Sequence, residues 1–235
     1  MKTFALTHIG LTKKDNEDRY LVKDMADGTL LLAVADGLGG ETAGEHAAEI
    51  TIGMLESIKY FPMGVENILI DSVKKADTSI INETIKDPAL EGMGTTLTAV
   101  LLMNGRAYWV HAGDSRFYIF RNNSLSRQTR DQTILQFLLD EGEVTEKGAM
   151  SHPARHMIDQ CVGCGDCSPD SGSLDIIKGD KILLTTDGLH GCLSDSFIAD
   201  ILNSSTDLEK GANELLDAAL KAGGEDNITI VMLQC

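Results

Sequence analysis

The sequence predicts an α+β fold built on antiparallel strands. Residues 94–121 contain three runs of β-forming residues, separated by turn signals at Asn104-Gly105 and Gly113-Asp114, which is the pattern of a meander. Two predicted helices precede this region and three follow it, and they do not alternate with single strands. A parallel, doubly wound sheet would need regular alternation of strands and helices, so the pattern disfavours that class.

Hydrophobic periodicity in the first part of the chain predicts strands, a glycine-rich turn and two amphipathic helices. The strands are predicted at residues 4–9 (a sheet edge), 20–22 and 30–35, and the helices at residues 42–60 and 65–85. Asp27-Gly28 is a hairpin signal between the second and third strands, and Pro62 separates the helices. The hairpin would carry Glu17 and Asp18 at its start and Asp36 at its end.

The rest of the chain continues with the same two patterns. Strands are predicted at residues 94–103, 107–111, 116–121, 174–177, 181–185 and 228–233, and helices at residues 131–141, 195–202 and 207–222. Gly179-Asp180 is a turn signal between the strands at 174–177 and 181–185. No repeat of fixed period and no low-complexity linker interrupts this order, so residues 1–235 are predicted to form a single domain.

The charge balance limits the classes of partner. A chain of 235 residues with a net charge of −16 and a pI near 4.6 lacks the clustered Lys and Arg that nucleic acids and anionic membranes require, so neither is expected as a partner. No apolar run approaches the roughly 20 residues of a membrane-spanning helix, and the N-terminus lacks a signal-peptide core. Together with an odd number of cysteines, five, this predicts a cytoplasmic protein with free thiols.

Three acids beside glycines are candidate metal ligands. Asp36 and Asp187 each follow an apolar strand and precede a glycine, and Asp226 follows a glycine pair and precedes the last strand. Each one alone is most simply a turn residue. Together with Glu17 and Asp18 they form an oxygen-rich set without histidine pairs, which favours Mg²⁺ or Mn²⁺ over Zn²⁺.

The glycine-rich turn at residues 37–40 lacks the signatures of nucleotide-binding loops. A dinucleotide fingerprint starting at Gly37 requires a glycine at position 42, which is Thr42. A phosphate-binding loop requires a lysine, and none lies between Lys23 and Lys59. The turn is therefore predicted to present oxygens to a hard cation.

Six segments resemble the motifs of the metal-dependent Ser/Thr protein phosphatases of the 2C type, in the compact form common in bacteria. They are residues 16–19, 34–40, 94–96, 111–116, 185–188 and 225–229. One such motif would be weak support, but six in the family's order, covering nearly the whole chain, are specific. The resemblance implies a four-layer αββα sandwich of two antiparallel sheets flanked by helices, with the metals at one end.

The resemblance also implies roles for the acids. Asp36 would bridge two Mn²⁺ or Mg²⁺ ions, and a hydroxide bridging the same ions would attack the phosphorus in line. The remaining ligands would be divided between the ions, with Asp187 and Asp226 on one, and Glu17, the Gly37 carbonyl and, through bound water, Asp18 on the other.

Three positions depart from the family pattern. Lys13 replaces the arginine that binds the substrate phosphate in relatives, and lysine lacks the bidentate fork of arginine. Leu38 stands where some relatives have a histidine proposed as general acid. Asp114 resembles a ligand of a third, weaker metal, but the position of its usual partner is Gly191. A hairpin turn with Arg116 paired to a neighbour explains Asp114 equally well.

Residues 131–163 resemble the flap that borders the metal site in this family and influences substrate choice. Its candidates for substrate contact, each more simply a surface or packing residue, are His152, Arg155 and His156. His46 and His111 are predicted to be structural.

The family resemblance does not explain the run of cysteines at positions 161, 164 and 167. Its spacing would permit Zn²⁺ or an iron–sulfur cluster, but only His152, His156 or a distant cysteine could complete a closed zinc site. The preferred interpretation is a loop with reduced thiols and Cys161 packed in the core. A redox role through Cys164 and Cys167 stays open.

The leading functional hypothesis is a Mg²⁺- or Mn²⁺-dependent phosphatase that removes phosphate from Ser and Thr residues of proteins. Its partners would be phosphorylated proteins, either a Ser/Thr kinase or its substrates, in a signalling role. Two alternatives stay open: a catalytically weak relative that binds phosphoproteins, which Lys13 and Gly191 support, and a phosphatase of small phosphate esters. The retained Asp36, Asp187 and Asp226 favour an enzyme.

Overall fold

The computed structural model describes residues 1–25, 28–39, 42–60, 64–145, 148, 152–154 and 157–235. Its strands are β1 (Lys2–His8), β2 (Arg19–Asp24), β3 (Leu30–Ala35), β4 (Gly37–Leu38), β5 (Gly94–Thr95), β6 (Leu97–Met103), β7 (Arg106–Ala112), β8 (Arg116–Arg121), β9 (Ser124–Arg127), β10 (Asp170–Asp175), β11 (Lys181–Thr185) and β12 (Ile228–Gln234). Its helices are α1 (Thr42–Glu56), α2 (Val65–Lys86), α3 (Ile134–Asp140), α4 (Asp187–His190), α5 (Asp195–Ser204) and α6 (Leu208–Lys221), and a short 3₁₀ turn spans Pro88–Leu90.

Two five-stranded antiparallel sheets form the centre of the fold. The strand order is β1-β12-β11-β8-β9 in the first sheet and β10-β7-β6-β3-β2 in the second, and β4 and β5 form a separate two-stranded ribbon. The strand predicted at the start of the chain is therefore an edge strand, as expected. An apolar layer that includes Leu32, Val100, Ile182 and Val231 fills the space between the sheets.

Helices cover the outer face of each sheet. α1 and α2 pack on the second sheet through an apolar cluster that includes Leu69 and Leu101. α5 and α6 pack on the first sheet through a cluster that includes Leu215 and Met232. The layers therefore run helix, sheet, sheet, helix, and the predicted αββα sandwich is confirmed.

Strand β3 shows why the central strands are continuous apolar runs. Side chains alternate between the two faces of a strand. Leu32 and Val34 therefore point to the layer between the sheets, whereas Leu31 and Ala33 point to the layer under the helices. Because both faces are covered, the whole strand is buried. Each buried leucine of this kind stabilises the fold by about 1.5–3 kcal/mol.

The antiparallel register brings the predicted acids to one end of the sandwich. Arg19 pairs with Ala35, so the segment before β2 and the residue after β3, Asp36, lie at the same end of that hairpin. In the other sheet Thr185 pairs with Ile230, which places the end of β11 beside the start of β12. The fold thereby joins four acid-bearing chain segments that are distant in sequence.

The strand predicted at residues 174–177 is wrong in position. β10 comprises Asp170–Asp175 and pairs with β7 in the second sheet, not with β11. The sequence of β10 is small and polar, so it lacks the apolar period that marks a strand. Small size is required at Gly172, since a Cβ there would lie 2.7 Å from the Trp109 ring.

Two further differences lie in the first sheet and at the ribbon. The strand predicted at residues 94–103 is divided at Thr96, because Thr96 hydrogen-bonds to the backbone of Asp36 instead of continuing one ladder. The sequence did not predict β9, a polar edge strand that follows a turn with positive φ at Asn122 and Asn123. Asp27 of the predicted hairpin turn and Pro62, which was predicted to separate two helices, lie outside the described residues.

None of the helices in the described part of the chain has both the length and the apolar character needed to cross a membrane.

Candidate metal centre

A cleft of about 560 Å³ opens where the acid-bearing segments meet. The predicted site residues that line it are Lys13, Asp36, Gly37, Asp114, Asp187 and Asp226. Glu17 and Asp18 are buried beside these residues, with 9% and 1% of their surface exposed. The structure therefore brings together all the acids that the sequence singled out as ligands.

Threonines of the β5–β6 region fix the backbone of Asp36. The Asp36 carbonyl accepts hydrogen bonds from the Thr96 N–H and the Thr95 hydroxyl, both at 2.8 Å, and the Asp36 N–H donates to the Thr96 hydroxyl at 3.0 Å. Gly37 then passes against α1, where an added Cβ would lie 2.4 Å from the Gly44 carbonyl oxygen. With the backbone held in this way, the Asp36 carboxylate is directed to the cleft.

Asn227 connects the two loops that carry Glu17 and Asp226. Its side-chain oxygen accepts the Glu17 N–H at 2.8 Å, across 210 residues of sequence. Its side-chain nitrogen donates to the carbonyls of Ile9 and Asp15 at 2.9 and 3.0 Å. Its own N–H donates to the Asp226 carboxylate at 2.8 Å. Asn227 therefore fixes the relative position of the two acids.

Asp18 is held from the opposite sheet. The Thr186 hydroxyl donates to Asp18 Oδ2 at 2.8 Å and accepts the Thr229 N–H at 3.0 Å. This chain of hydrogen bonds connects the loop before β2 with the end of β11 and with β12. It satisfies one carboxylate oxygen of Asp18 and leaves the other to face its neighbours.

Asp187 and Asp226 lie on adjacent segments. Asp187 is the first residue of α4, directly after β11, and the next residue, Gly188, packs against the start of β12. A Cβ at Gly188 would lie 2.0 Å from the Asn227 carbonyl oxygen, so only glycine fits there. Across the cleft, the Lys13 ammonium lies 2.7 Å from Asp226 Oδ1.

The acids raise one another's pKa values. Burial raises the pKa of Asp36 well above its usual range, and the charges of Asp18 and Asp187 raise it further. Burial raises the pKa of Asp18 to about 7 against the opposing hydrogen bonds from threonines, and Asp187 adds to the shift. Burial and Asp187 raise the pKa of Asp114 to about 8. Burial also raises the pKa of Glu17 against the opposing charge of Lys13. A positive ion would relieve this repulsion.

The donor set fits divalent cations that prefer oxygen. Among the described residues, Glu17 Oε1, Asp18 Oδ1 and Asp114 Oδ1 are buried and have no hydrogen-bond partner. In the same part of the chain, no three His, Cys, Asp or Glu side chains surround a common point as a finished cage. The acids instead line an open cleft, which suits ions that share a bridging carboxylate and complete their shells with water. Carboxylates and the backbone oxygen of Gly37 are the donors such ions select.

Asp114 combines the two interpretations that its sequence allowed. It lies in the turn between β7 and β8, and Arg116, the first residue of β8, forms a two-point ion pair with Asp131, with contacts of 2.9 and 2.6 Å. Asp114 is nonetheless buried, with 8% of its surface exposed, and lines the cleft. Gly191 also lines the cleft but offers no side-chain donor.

The structure agrees with the prediction that His111 is structural, whereas the roles of His46 and His152 stay predictions. His111 is fully buried, its Nδ1 and Nε2 lie 2.9 and 3.0 Å from the Thr98 hydroxyl and the Arg130 carbonyl, and burial lowers its pKa to about 4. His46 lies beside Glu83. His152 is half-buried and its Nδ1 accepts the Ala154 N–H at 3.2 Å. Predictions that lie outside the described residues are those for Arg155 and His156.

The expectation of reduced thiols at Cys161 and Cys164 is wrong, because the two residues form a disulfide. The burial predicted for Cys161 is confirmed, with 7% of its surface exposed. Cys167, Cys192 and Cys235 are free, as expected. Neighbouring sulfurs three residues apart are within reach of each other in a tight loop, and the spacing alone could have suggested this pair.

Sequence reasoning missed four residues that shape the site. Asn227 and Thr186 lie inside recognised motifs, but their hydrogen bonds to distant loops have no local signal. Arg19 binds the Asn16 and Asp18 carbonyls, both at 2.9 Å, and is ion-paired to Glu45 on α1. His190 ends α4 near Asp114. Burial, followed by the charge of Arg116, lowers its pKa well below the usual range.

The fold is a two-sheet αββα sandwich with a carboxylate-lined cleft at one end, and this cleft suits divalent cations. Residues 11–222 match the family described as Protein phosphatase 2C. The chain therefore belongs to the protein phosphatase 2C family.

Named relatives are bacterial serine/threonine phosphatases. The chain is 37% identical over 225 residues to the serine/threonine protein phosphatase PstP of Mycobacterium tuberculosis, covering 95% of this chain and 43% of the relative. It thus spans less than half the length of that protein. It is 30% identical over 241 residues to the protein phosphatase PhpP of Streptococcus pneumoniae, covering 99% of this chain and 97% of the relative.

A solved structure gives the same likeness in three dimensions. The catalytic domain of PstP in complex with two manganese ions superposes on this chain with a TM-score of 0.89 at 33% identity, covering 98% of this chain and 96% of that one.

Proposed function

We propose that residues 1–235 form one catalytic domain that hydrolyses phosphoserine and phosphothreonine esters in proteins, with Mn²⁺ or Mg²⁺ bound in the acidic cleft. The observation that carries the proposal is the convergence of six acids from separate segments on one cleft, with three buried carboxylate oxygens that lack a hydrogen-bond partner among the described residues. Packing alone does not account for such a cluster, because each buried carboxylate costs free energy unless a cation or donor compensates it. Membership of the phosphatase family supports the same reading.

We assign the ligand roles from the family resemblance, and the positions of the acids support them. The negative charges of four other acids raise the pKa of Asp36, which places it among them, and we therefore assign it the bridging role. These acids are Asp18, Asp187, Asp114 and Asp226. Asp187 and Asp226 would hold one ion together with Asp36. A second set is the Glu17 carboxylate, the Gly37 carbonyl and, through water, Asp18. Asp114 would contribute to a third, weaker ion.

Bound divalent ions lower the pKa of water and neutralise charge on a transferring phosphoryl group. The chain itself supplies orientation. Thr186 holds Asp18 through one oxygen at 2.8 Å, so its other oxygen has a fixed direction. Thr95 and Thr96 do the same for Asp36 through its backbone. Such support keeps the ligands in place while their charges repel.

Lys13 is the phosphate-binding candidate. Among the described residues that line the cleft it is the only cation. Burial lowers its pKa, but the hydrogen bond and charge of Asp226 outweigh burial, and the pKa is raised overall. Lys13 therefore stays protonated and acts as a positive charge for the substrate phosphate, not as a proton donor. Leu38 has no proton to give, so the alkoxide oxygen that leaves phosphorus would take its proton from water or from another group in the cleft.

We place the protein in the cytoplasm, in signalling, opposite a Ser/Thr kinase. Its substrates would be the kinase or the proteins which that kinase phosphorylates. The net charge of −16 supports dependence on a cation, since an acidic surface repels phosphorylated substrates unless metal ions or Lys13 offset the field.

The test is hydrolysis of a phosphothreonine peptide and of an aryl phosphate, each with Mn²⁺, with Mg²⁺ and with chelator. Asp36→Asn and Asp187→Asn should lose metal-dependent release by at least about 100-fold, since both remove a ligand. Asp200→Asn, the same substitution on an exposed residue of α5, should keep it. No release with either metal from the folded wild-type chain would refute the enzyme. Release from the aryl phosphate alone would assign small phosphate esters as substrates.

A further inference from the structure

The disulfide between Cys161 and Cys164 has two sulfurs of unequal access. Its Cα atoms are 5.7 Å apart, a usual separation for a disulfide. Cys161 is buried, whereas Cys164 is exposed. The third cysteine of the run, Cys167, is buried, and burial raises the pKa of its thiol to about 12. Because the thiolate is the reactive form, Cys167 is a poor exchange partner, and the run contains one accessible pair.

Both residues of this pair line an open groove of about 530 Å³ that adjoins the metal centre. Leu38 lines this groove and also the acidic cleft, so the two depressions share a wall. A small thiol or peroxide that enters the groove reaches the exposed Cys164 sulfur. It does so on the side of the ribbon next to Gly37.

Hydrogen bonds connect the disulfide loop to the metal ligands. Thr95 and Val162 exchange two backbone hydrogen bonds, of 2.9 and 2.8 Å. Thr95 also pairs with Gly37 across the β4–β5 ribbon, and its hydroxyl donates to the Asp36 carbonyl at 2.8 Å. Val162 directly follows Cys161. The disulfide is therefore one residue and one pair of hydrogen bonds away from the segment that presents Asp36 and Gly37.

Asp77 and Gly94 also hold the loop. The Asp77 carboxylate accepts the N–H of Gly163 at 2.7 Å and of Gly165 at 3.3 Å. The Cys161 sulfur also packs so closely on Gly94 that a Cβ there would lie 3.2 Å from it. Opening the disulfide removes the covalent link between Cys161 and Cys164, and the hydrogen bonds to Asp77 then remain as noncovalent attachments of the loop.

We propose that Cys161–Cys164 is a thiol–disulfide exchange site whose redox state sets the affinity of the adjacent centre for divalent cations. The oxidised state holds the ribbon in the geometry described above, and the reduced state binds Mn²⁺ more weakly. In the cytoplasmic location proposed above, disulfides are mostly transient and redox-sensing, which suits this site. The inference rests on the proposed metal centre and does not depend on which phosphate ester is hydrolysed.

The exchange balances with a dithiol as reductant and hydrogen peroxide as oxidant. A thiolate of the dithiol attacks the exposed Cys164 sulfur, the S–S bond breaks, and the Cys161 thiolate leaves and takes a proton from water. The second thiol of the reagent then displaces Cys164 as a thiolate, giving two protein thiols and a cyclic disulfide. In reverse, two protein thiols and one peroxide give the disulfide and two waters.

Two measurements on the purified chain test the proposal without using hydrolysis. Maleimide labelling under denaturing conditions, read by intact mass, should count three thiols in the peroxide-treated protein and five after a dithiol, from the three free and two bonded cysteines. Calorimetric titration with Mn²⁺ alone should show an affinity about three- to tenfold lower in the protein with reduced thiols. This effect is smaller than that of removing a residue that hydrogen-bonds directly to a metal ligand.

Variants separate the site from general oxidation. Cys164→Ser cannot form the disulfide, so it should bind Mn²⁺ with the lower affinity of the dithiol-treated protein after either treatment, peroxide or dithiol. Cys235→Ser, a free cysteine at the far end of the first sheet, should switch like the wild type. Five labelled thiols before and after peroxide would overturn the disulfide, and equal Mn²⁺ affinity in the two wild-type states would overturn the coupling.

Discussion

Replacing Asp18 by asparagine should stabilise the metal-free protein at neutral and alkaline pH. Asp18 has 1% of its surface exposed, and its raised pKa comes first from burial and then from Asp187 and Asp226. Asparagine has the same shape and keeps an oxygen for the Thr186 hydroxyl. The substitution therefore removes the buried charge with little change in packing.

The magnitude follows from proton linkage. The pKa of Asp18 rises from 3.8 to about 7 in the folded protein, so the folded state binds a proton that the unfolded chain has released. The free energy of unfolding in chelator must then fall as the pH rises from 3.8 through about 7, by about 1.4 kcal/mol per pH unit. The ceiling is about 4 kcal/mol, and repulsion shared with Asp36 makes about 2–4 kcal/mol the expected gain for Asp18→Asn near pH 8.

Thermal unfolding in chelator is the assay. The gain in unfolding free energy should raise the thermal midpoint by roughly 5–15 °C near pH 8. Near pH 5 the rise should be about two fifths of that, because only this share of the pH interval between 3.8 and about 7 has then been crossed. With Mn²⁺ present, Asp18→Asn should bind the ion about tenfold more weakly. Asp200→Asn is the control and should change neither midpoint. An equal gain at both pH values, or a lower midpoint near pH 8, would refute the charge argument.

Three further substitutions test the support of the site. Gly188→Ala should cost at least about 3 kcal/mol in urea unfolding, because its Cβ would lie 2.0 Å from a carbonyl oxygen, whereas Gly53→Ala, with open space in α1, should be neutral or stabilising; equal effects would contradict the packing argument. Asn227→Ala should weaken Mn²⁺ binding by about 10–100-fold in calorimetry, and unchanged binding would exclude a positioning role. Arg116→Lys should lower the free energy of unfolding in urea by about 2 kcal/mol, because lysine cannot form the two-point contact that arginine makes with Asp131. A loss below about 0.5 kcal/mol would show that the ion pair is dispensable.

Elements with a clear period were predictable from sequence alone. Strand β3 agrees with its predicted bounds because both faces are buried and every residue is apolar. Helix α2, Val65–Lys86, is predicted to within one residue, since its buried positions recur at helical spacing. The acids were also identifiable, because Asp36 and Asp187 end apolar strands at glycines. Local pattern is sufficient where burial and backbone geometry are decided by near neighbours.

Features set by distant partners were not predictable in this way. Strand β10 carries no apolar alternation, and its place beside β7 depends on Trp109 lying over Gly172. The disulfide between Cys161 and Cys164 was not predicted, because a cytoplasmic location was taken to favour free thiols. The location of a protein does not determine which cysteines a loop brings into contact. Neither the pairing of β10 nor the loop geometry is encoded in a window of neighbouring residues.

Asn227 shows how these two kinds of information combine in the metal centre. The six carboxylates of the site repel one another and cannot hold their own geometry, so the loops that carry them must be fixed by uncharged groups. Asn227 provides this from a position next to Asp226, by accepting the Glu17 N–H and donating to two carbonyls of the N-terminal loop. An aspartate there would lose both side-chain N–H donors and add a seventh carboxylate. Cation binding therefore requires the acids, and the repulsion among them requires an uncharged side chain, the Asn227 amide, to hold the loops together.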